Sequence, residues 1–188
     1  SLVRDRKLAE LTTKFNNTSN KLSISRRGSV LIEVSLTSPR DCKRIADFFV
    51  EYLDMPAIKQ PHIVRAIHGT KNHSFSDVPD KAISFINLSS ILEFSKKVGM
   101  EIDPMRFRGN VNFTNNIPWE EFNWVNKKIR IGGAVLNIFK RTKRCAATNV
   151  NPFSAVYDIN IPKELNYHYR HMDMGVYAIV LKSGLIAV

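Results

Sequence analysis

MRFRGNVNF, residues 105–113, alternates apolar and polar side chains without a slip. A period of two predicts a strand with Met105, Phe107, Gly109, Val111 and Phe113 on one face and Arg106, Arg108, Asn110 and Asn112 on the other. That pattern sets the expectation of a strand-rich fold. It also places two guanidinium groups about 7 Å apart on one face, which is unfavourable unless water or an anion lies between them. The plainer reading is the solvated face of a half-buried antiparallel strand. The sharper one is a fork for phosphate or carboxylate, because arginine binds such oxygens bidentately and the asparagines add neutral donors and acceptors.

Downstream the strand pattern continues past an aromatic patch with acids, PWEEFNW, through residues 128–131, a Gly132-Gly133 turn and residues 135–141. The last of these runs into RTKRCAAT, residues 141–148, so Cys145 follows Arg141, Lys143 and Arg144 at a strand end. The thiolate is the nucleophile and the metal ligand, and neighbouring cations favour it. Soft sulfur of this kind suits carriage of a persulfide or coordination of a soft transition metal. The alternative is a small apolar side chain beneath the strand end, with its basic neighbours in solvent.

Upstream, residues 22–25 and 30–36 read as a hairpin over an Arg-Arg-Gly turn, preceded by a basic, loosely amphipathic opening over residues 4–15. Ser38-Pro39-x-Asp41 predicts the start of a helix that runs to about Leu53, with Cys42, Ile45, Ala46, Phe49, Tyr52 and Leu53 on one face. Cys42 is then a packing thiol. A strand near residues 63–67, a long polar loop over 68–80 and a strand over 82–86 follow. Asn87-Leu88-Ser89-Ser90 next opens a helix that Gly99 ends, with Ser90 and Glu93 at capping-box spacing. Near residue 104 the pattern turns from helix-containing to nearly all strand.

With 28 Lys and Arg against 17 Asp and Glu, the chain carries a formal charge of +11, which favours anionic partners. At 44% hydrophobic residues over 188 positions it can bury a core without staples. Two cysteines, far apart in sequence, make neither a disulfide framework nor a zinc set. No apolar run is long enough to span a bilayer and no signal peptide is visible, so a cytoplasmic, reducing location is expected. Beginning at Ser1 rather than Met and stopping abruptly at Val188, the sequence reads as trimmed at both ends.

RFRGNV at 106–111, the tryptophan-containing segment after it, TKRCAATNVNP at 142–152 and GVYAIVLKSGLIAV at 175–188 together resemble the signature set of the MOSC domain, a module similar to the C-terminal part of molybdenum cofactor sulfurase. The resemblance covers residues 75–188. Arg4 to about Leu53 resembles the later part of the β-barrel domain that commonly precedes MOSC, so residues 1–74 are expected to be a remnant of that domain. The fold implied is α+β and predominantly β, a MOSC-type β-barrel with a few short helices. The function implied is binding of the molybdenum cofactor (molybdopterin), a pterin bearing a dithiolene and a terminal phosphate, or carriage of sulfur to it. Either a molybdenum-dependent oxidoreductase or a sulfur transferase would fit, with a sulfur-donor or redox protein as partner; pyridoxal phosphate is not expected in this chain.

Carried over by that resemblance, Cys145 matches the thiolate that ligates molybdenum or carries sulfur, and Arg144 its basic partner, with Lys143 adding charge. Arg106, Arg108 and Asn110 match the arginine-rich segment near the phosphate and pterin. Asn87 and Ser89 match a small polar segment ahead of it, and Tyr177 a packing aromatic. His168 and His171, three apart, could share a helix face but lack a third ligand, so exposed or capping roles are expected. His62, His68 and His73 take no role. A nucleic-acid-binding β-barrel is the alternative from another class, supported by the charge. It is disfavoured because the aromatics fall on apolar faces, leaving few free to stack on bases.

Overall fold

Arg27 and Gly28 both have left-handed backbones (φ 49° and 81°), the geometry that lets a two-residue turn follow the twist of the strands it joins. They close the hairpin of β2 (Lys21–Arg26) and β3 (Ser29–Ser35), and β1 (Leu11–Asn16) adds antiparallel to β2. The computed structural model describes residues 2–64 and 78–187. The basic opening is thus a 3-10 turn, Arg6–Glu10, followed by a strand. Helix α1 (Pro39–Tyr52) begins as its sequence predicts, with the Ser38 hydroxyl accepting the Asp41 N–H at 3.3 Å and proline in the first turn. Its buried Ile45 meets Ile24 and Val34 to form the core of this unit. Cys42 is half-buried and its thiol donates to the Leu36 carbonyl at 3.6 Å, a packing role as expected.

This first compact unit comprises Ser1–Ile67 with Asn151–Val156; His68–Val150 and Tyr157–Val188 form a second. The expected strand over 63–67 does not include residues 63 and 64, and its remainder, the loop over 68–80 up to residue 77, His68 and His73 lie outside the described residues.

The second unit is a five-stranded sheet in the order β5-β4-β8-β7-β6. Strand β4 (Ala82–Asn87) leads directly into α2 (Leu88–Val98) and returns parallel as the short β5 (Val111–Phe113). Strands β6 (Lys128–Ile131) and β7 (Ala134–Lys143) form a hairpin over Gly132, and β8 (Asp173–Lys182) fills the space between β4 and β7 after helix α3 (Ile161–Tyr169). The fold is α+β and predominantly β, with this sheet curled as a half-barrel. Strand β4 is largely apolar, interrupted by Ser84, because both its faces are covered. Phe85 packs with Leu136, Ile138, Val176 and Ala178, whereas its neighbour Ile86 packs with Phe94, Ile161, Leu165 and Met174.

Two expectations change here. The chain after residue 104 is not nearly all strand: α3 and three 3-10 turns lie within it. MRFRGNVNF is a strand only over Val111–Phe113. Asp103 and Pro104 start a 3-10 turn, Pro104–Phe107, in which the Asp103 carboxylate accepts the Met105 N–H at 2.7 Å, and Arg108 then turns left-handed (φ 50°). A cap, a proline and a left-handed residue settle the local backbone more firmly than side-chain alternation does.

Candidate functional site

Strand β7 leaves the sheet at Lys143, whose register partner on β8 is Asp173. Arg144 stays alongside, its N–H donating to the Met172 carbonyl at 2.8 Å. Cys145 is still extended (φ −114°, ψ 177°), and its carbonyl accepts from both the N–H (3.1 Å) and the hydroxyl (2.9 Å) of Thr148. Those two bonds fix a 3-10 turn, Ala146–Asn149, at the strand end. The Cys145 side chain is exposed.

The Arg144 guanidinium is turned back into the protein. Nε donates to the Met174 carbonyl at 2.9 Å, Nη2 to the same oxygen, and Nη1 to the Phe107 carbonyl at 3.0 Å, with the guanidinium carbon 5.4 Å from the Phe107 ring. Arg144 thereby ties the Cys145 turn to the RFRGN segment, so the two segments singled out in the sequence do adjoin. The contact runs through an arginine and a backbone carbonyl rather than through a shared anion.

Arg106 and Arg108 are not paired on one face. Arg106 is buried: Nη2 meets the Asp158 carboxylate at 2.6 Å, and Nη1 reaches the carbonyls of Thr148 (3.4 Å) and Asn149 (3.3 Å). Arg108 is exposed. The Asn110 side-chain oxygen accepts from both the N–H and the hydroxyl of Ser84, each at 2.9 Å, which docks the RFRGN turn onto β4. Tyr177 stacks on Phe139, with the Lys140 ammonium 5.6 Å from its ring.

Asn87 and Ser89 also work within the fold. Asn87 is the cap of α2, accepting the Ser89 N–H at 3.0 Å, while its amide donates to the Ile117 carbonyl (3.1 Å) and to Glu121 (3.0 Å). The Ser89 hydroxyl donates to the Asn115 carbonyl. Ser90 and Glu93 do not form the capping box their spacing suggests. The Ser90 hydroxyl bonds Glu121 at 3.0 Å and accepts the Trp119 N–H at 2.8 Å, and Glu93 accepts from the Trp119 indole and the Tyr169 hydroxyl.

Glu121, which no sequence pattern singled out, is therefore the centre of a fully buried polar cluster. Burial pushes its carboxyl above the usual carboxylate range, against the bonds from Asn87 and Ser90. The folded state thus retains a proton that the unfolded chain has already released, and stability declines as pH rises through the folded value. We expect the wild-type denaturation midpoint to drop between about pH 5 and about pH 8 and the Glu121→Gln variant to lose that drop. Urea melts at the two pH values check this, and equal slopes for the two proteins would refute it.

His171, expected to share a helix face with His168, lies beyond α3, which ends where Arg170 turns left-handed (φ 62°). His168 instead faces Glu164 at 3.7 Å. The His171 ring sits 5.3 Å from Phe122 and 5.7 Å from Trp119, and its Nδ1 accepts the Asp173 N–H at 3.1 Å. The Arg141 guanidinium lies 4.2 Å from the Phe122 ring. Burial lowers the His171 pKa, and Arg141 lowers it further against the opposing pull of Asp173.

Among the described residues no group of three or more His, Cys, Asp or Glu side chains is placed to hold a metal ion. A metal at Cys145 would have to bring most of its ligands with it, as a metal held by a dithiolene does. One exposed soft donor fits such a group. Exposed Arg108, Arg141 and Lys143 fit its anionic end, whereas buried Arg106 is already matched by Asp158. Among the described residues no helix is long and apolar enough to cross a membrane.

A family model described as the MOSC domain matches residues 66–188. No curated protein matches the chain.

Proposed function

Since the chain belongs to the MOSC domain family, which is associated with molybdenum cofactor binding and sulfur-related proteins, we propose that it carries sulfur on Cys145 for that cofactor. The observation that supports this most directly is the exposure of the Cys145 side chain on a turn fixed at both ends, by Thr148 on one side and by the Arg144 clamp on the other. A thiol presented this way is open to a donor protein, while its backbone cannot drift.

Loading requires no external oxidant. The Cys145 sulfur attacks the outer sulfur of a donor persulfide, the donor's S–S bond breaks, the donor leaves as a thiolate, and the outer sulfur stays on Cys145. The bound cofactor would supply the metal centre that receives this sulfur. Lys143, Arg141 and Arg108 are the cations to hold its phosphate, and Arg144 and Arg106 keep the two segments that bear them in place. Asn110 serves the same end by docking its segment on Ser84.

Intact-mass analysis of protein from a cofactor-producing host, with and without reductant and alongside molybdenum quantification, tests the reading. We expect a gain of one sulfur atom that reductant removes, lost in Cys145→Ser and kept in Cys42→Ser. Retention of that sulfur in Cys145→Ser would sink the assignment. Stoichiometric molybdenum that Cys145→Ser loses, without any added sulfur, would replace the carrier role with metal ligation.

A further inference from the structure

The tip of the β2–β3 hairpin reads Arg26-Arg27-Gly28-Ser29-Val30, and sulfur carriage gives it no task. Arg27, Gly28, Ser29 and Val30 are all exposed. Among the described residues Arg27 makes no ion pair and the Ser29 hydroxyl has no hydrogen-bond partner. Ser29 is the register partner of Arg26, so their side chains share one face of the hairpin. We propose that Ser29 is a phosphorylation site, recognised by a protein kinase whose substrate cleft is acidic, and that Arg26 and Arg27 hold the phosphate once it is attached.

Cations stand three and two residues before the hydroxyl, and an apolar side chain stands one residue after it. Kinases select substrates by charge patterns of this kind: carboxylates in the cleft take the guanidinium groups. Val30, 63% exposed, is free to meet an apolar wall beside them. A kinase takes its substrate extended, so the tip has to open. Only two register pairs, Ser25 with Val30 and Arg26 with Ser29, lie beyond the irregularity between Ile24 and Ser25 that offsets the tip from the rest of the ladder. None of those four side chains is buried, so opening them costs little. In the transfer, the Ser29 oxygen bonds to the γ-phosphorus of a nucleoside triphosphate held by the kinase as the bond from that phosphorus to the bridging oxygen breaks. The nucleoside diphosphate leaves and the hydroxyl proton passes to the kinase's base. The phosphate brings a charge of about −1.5 to −2 to the face that bears Arg26. Arg26 now pairs with Glu10, which also accepts the Tyr52 hydroxyl at 3.3 Å, and the more highly charged phosphate draws its guanidinium away.

The test treats the folded protein with magnesium-ATP and the purified catalytic domain of a serine kinase that selects basic substrates, read by intact mass and peptide mapping. We expect one phosphoryl group on Ser29, and modification roughly tenfold slower in Arg27→Ala, the loss of one charge-assisted contact to the kinase. Arg27→Lys, which keeps the charge, should recover part of the rate. Arg27 suits this comparison because removing it breaks no ion pair, whereas Arg26 is tied to Glu10. A loosened hairpin would speed the modification, so it cannot imitate the expected slowing. Trypsin then reads the second half: cleavage after Arg26 and Arg27 should be several-fold slower in the folded phosphoprotein than in the unmodified protein. Absence of phosphate from Ser29, or an unaltered rate in Arg27→Ala, overturns the site. Tryptic cleavage at the unmodified rate overturns the arginine clamp. Cys145 enters neither measurement, so these results are separate from those of the sulfur-loading experiment.

Discussion

Arg106→Leu should destabilise the second unit by about 3–5 kcal/mol, among the largest effects of any single side chain in the molecule. The guanidinium has a side-chain exposure of 1% and a carboxylate partner at 2.6 Å. Leucine fills part of the volume but leaves the Asp158 carboxylate without its cation and the Thr148 and Asn149 carbonyls without their donor. Unmet buried acceptors are costly, whereas the Asp158 carboxylate, with a side chain 24% exposed, can turn to water. Asp158→Asn should cost a comparable amount for the converse reason, since a guanidinium cannot shed its charge when buried. The double variant Arg106→Leu with Asp158→Leu should cost less than the sum of the two single variants, because the buried charge that Asp158 answers is already gone. Thermal melts of the three proteins would show the single variants lowered by on the order of 10 °C. Equal melting of wild type and Arg106→Leu would mean that Arg106 serves something other than the fold. Cys145 alkylation in Arg106→Leu gives a second readout: loosening of the Thr148 end of its turn should change the rate even where the protein remains folded at low temperature.

This residue also shows where the sequence could be read and where it could not. Alternation in MRFRGNVNF identified the segment as one where side chains are sorted by environment, and that was sound, but it assumed an extended backbone. The Asp103-Pro104 start carried the competing information, and a 3-10 turn breaks the alternation of sides, so that Arg106 and Phe107 are both buried while Met105 is exposed. Hence Arg106 went inward, Arg108 outward, and the expected fork did not form. Signals that act within a few residues were legible: the Arg27-Gly28 turn, the Ser38-Pro39 start of α1, and the Asn87 and Gly99 limits of α2. Cys145 at a strand end was legible for the same reason. What decides the surroundings of that thiol was not, because Arg144 finds its partners at Phe107 and Met174, more than twenty-five positions away along the chain. Glu121 escaped notice because nothing in PWEEFNW distinguishes it from the half-buried Glu120 before it. Its burial depends on Asn87 and Ser90, more than thirty positions away along the chain.

Gly175→Ala should match or exceed the Arg106 effect, and the comparison with Gly99→Ala isolates why. Both glycines belong to the second unit and both have positive φ, 78° and 68°. At Gly99, which closes α2, an added Cβ would meet nothing within 4 Å, so alanine there bears only the cost of a left-handed backbone, about 1 kcal/mol. At Gly175 the same atom would fall inside contact distance of the Phe85 carbonyl oxygen and 2.7 Å from Cδ1 of Ile86, on the strand that pairs with β8. A carbonyl in the middle of a sheet cannot swing aside as a side-chain tip can, so β4 and β8 must separate or β8 must change its backbone. Either adjustment disturbs Met174, whose carbonyl holds the Arg144 guanidinium, and with it the turn that presents Cys145. The expected loss is roughly 3 kcal/mol or more for Gly175→Ala. Urea denaturation of both variants, combined with the Cys145 alkylation rate in the folded state, separates the contributions. Gly99→Ala should leave the thiol's reactivity unchanged, and Gly175→Ala should alter it even where the protein is still folded. Equal destabilisation by the two substitutions would show that backbone conformation alone, and not the closeness of β4, makes glycine necessary at position 175.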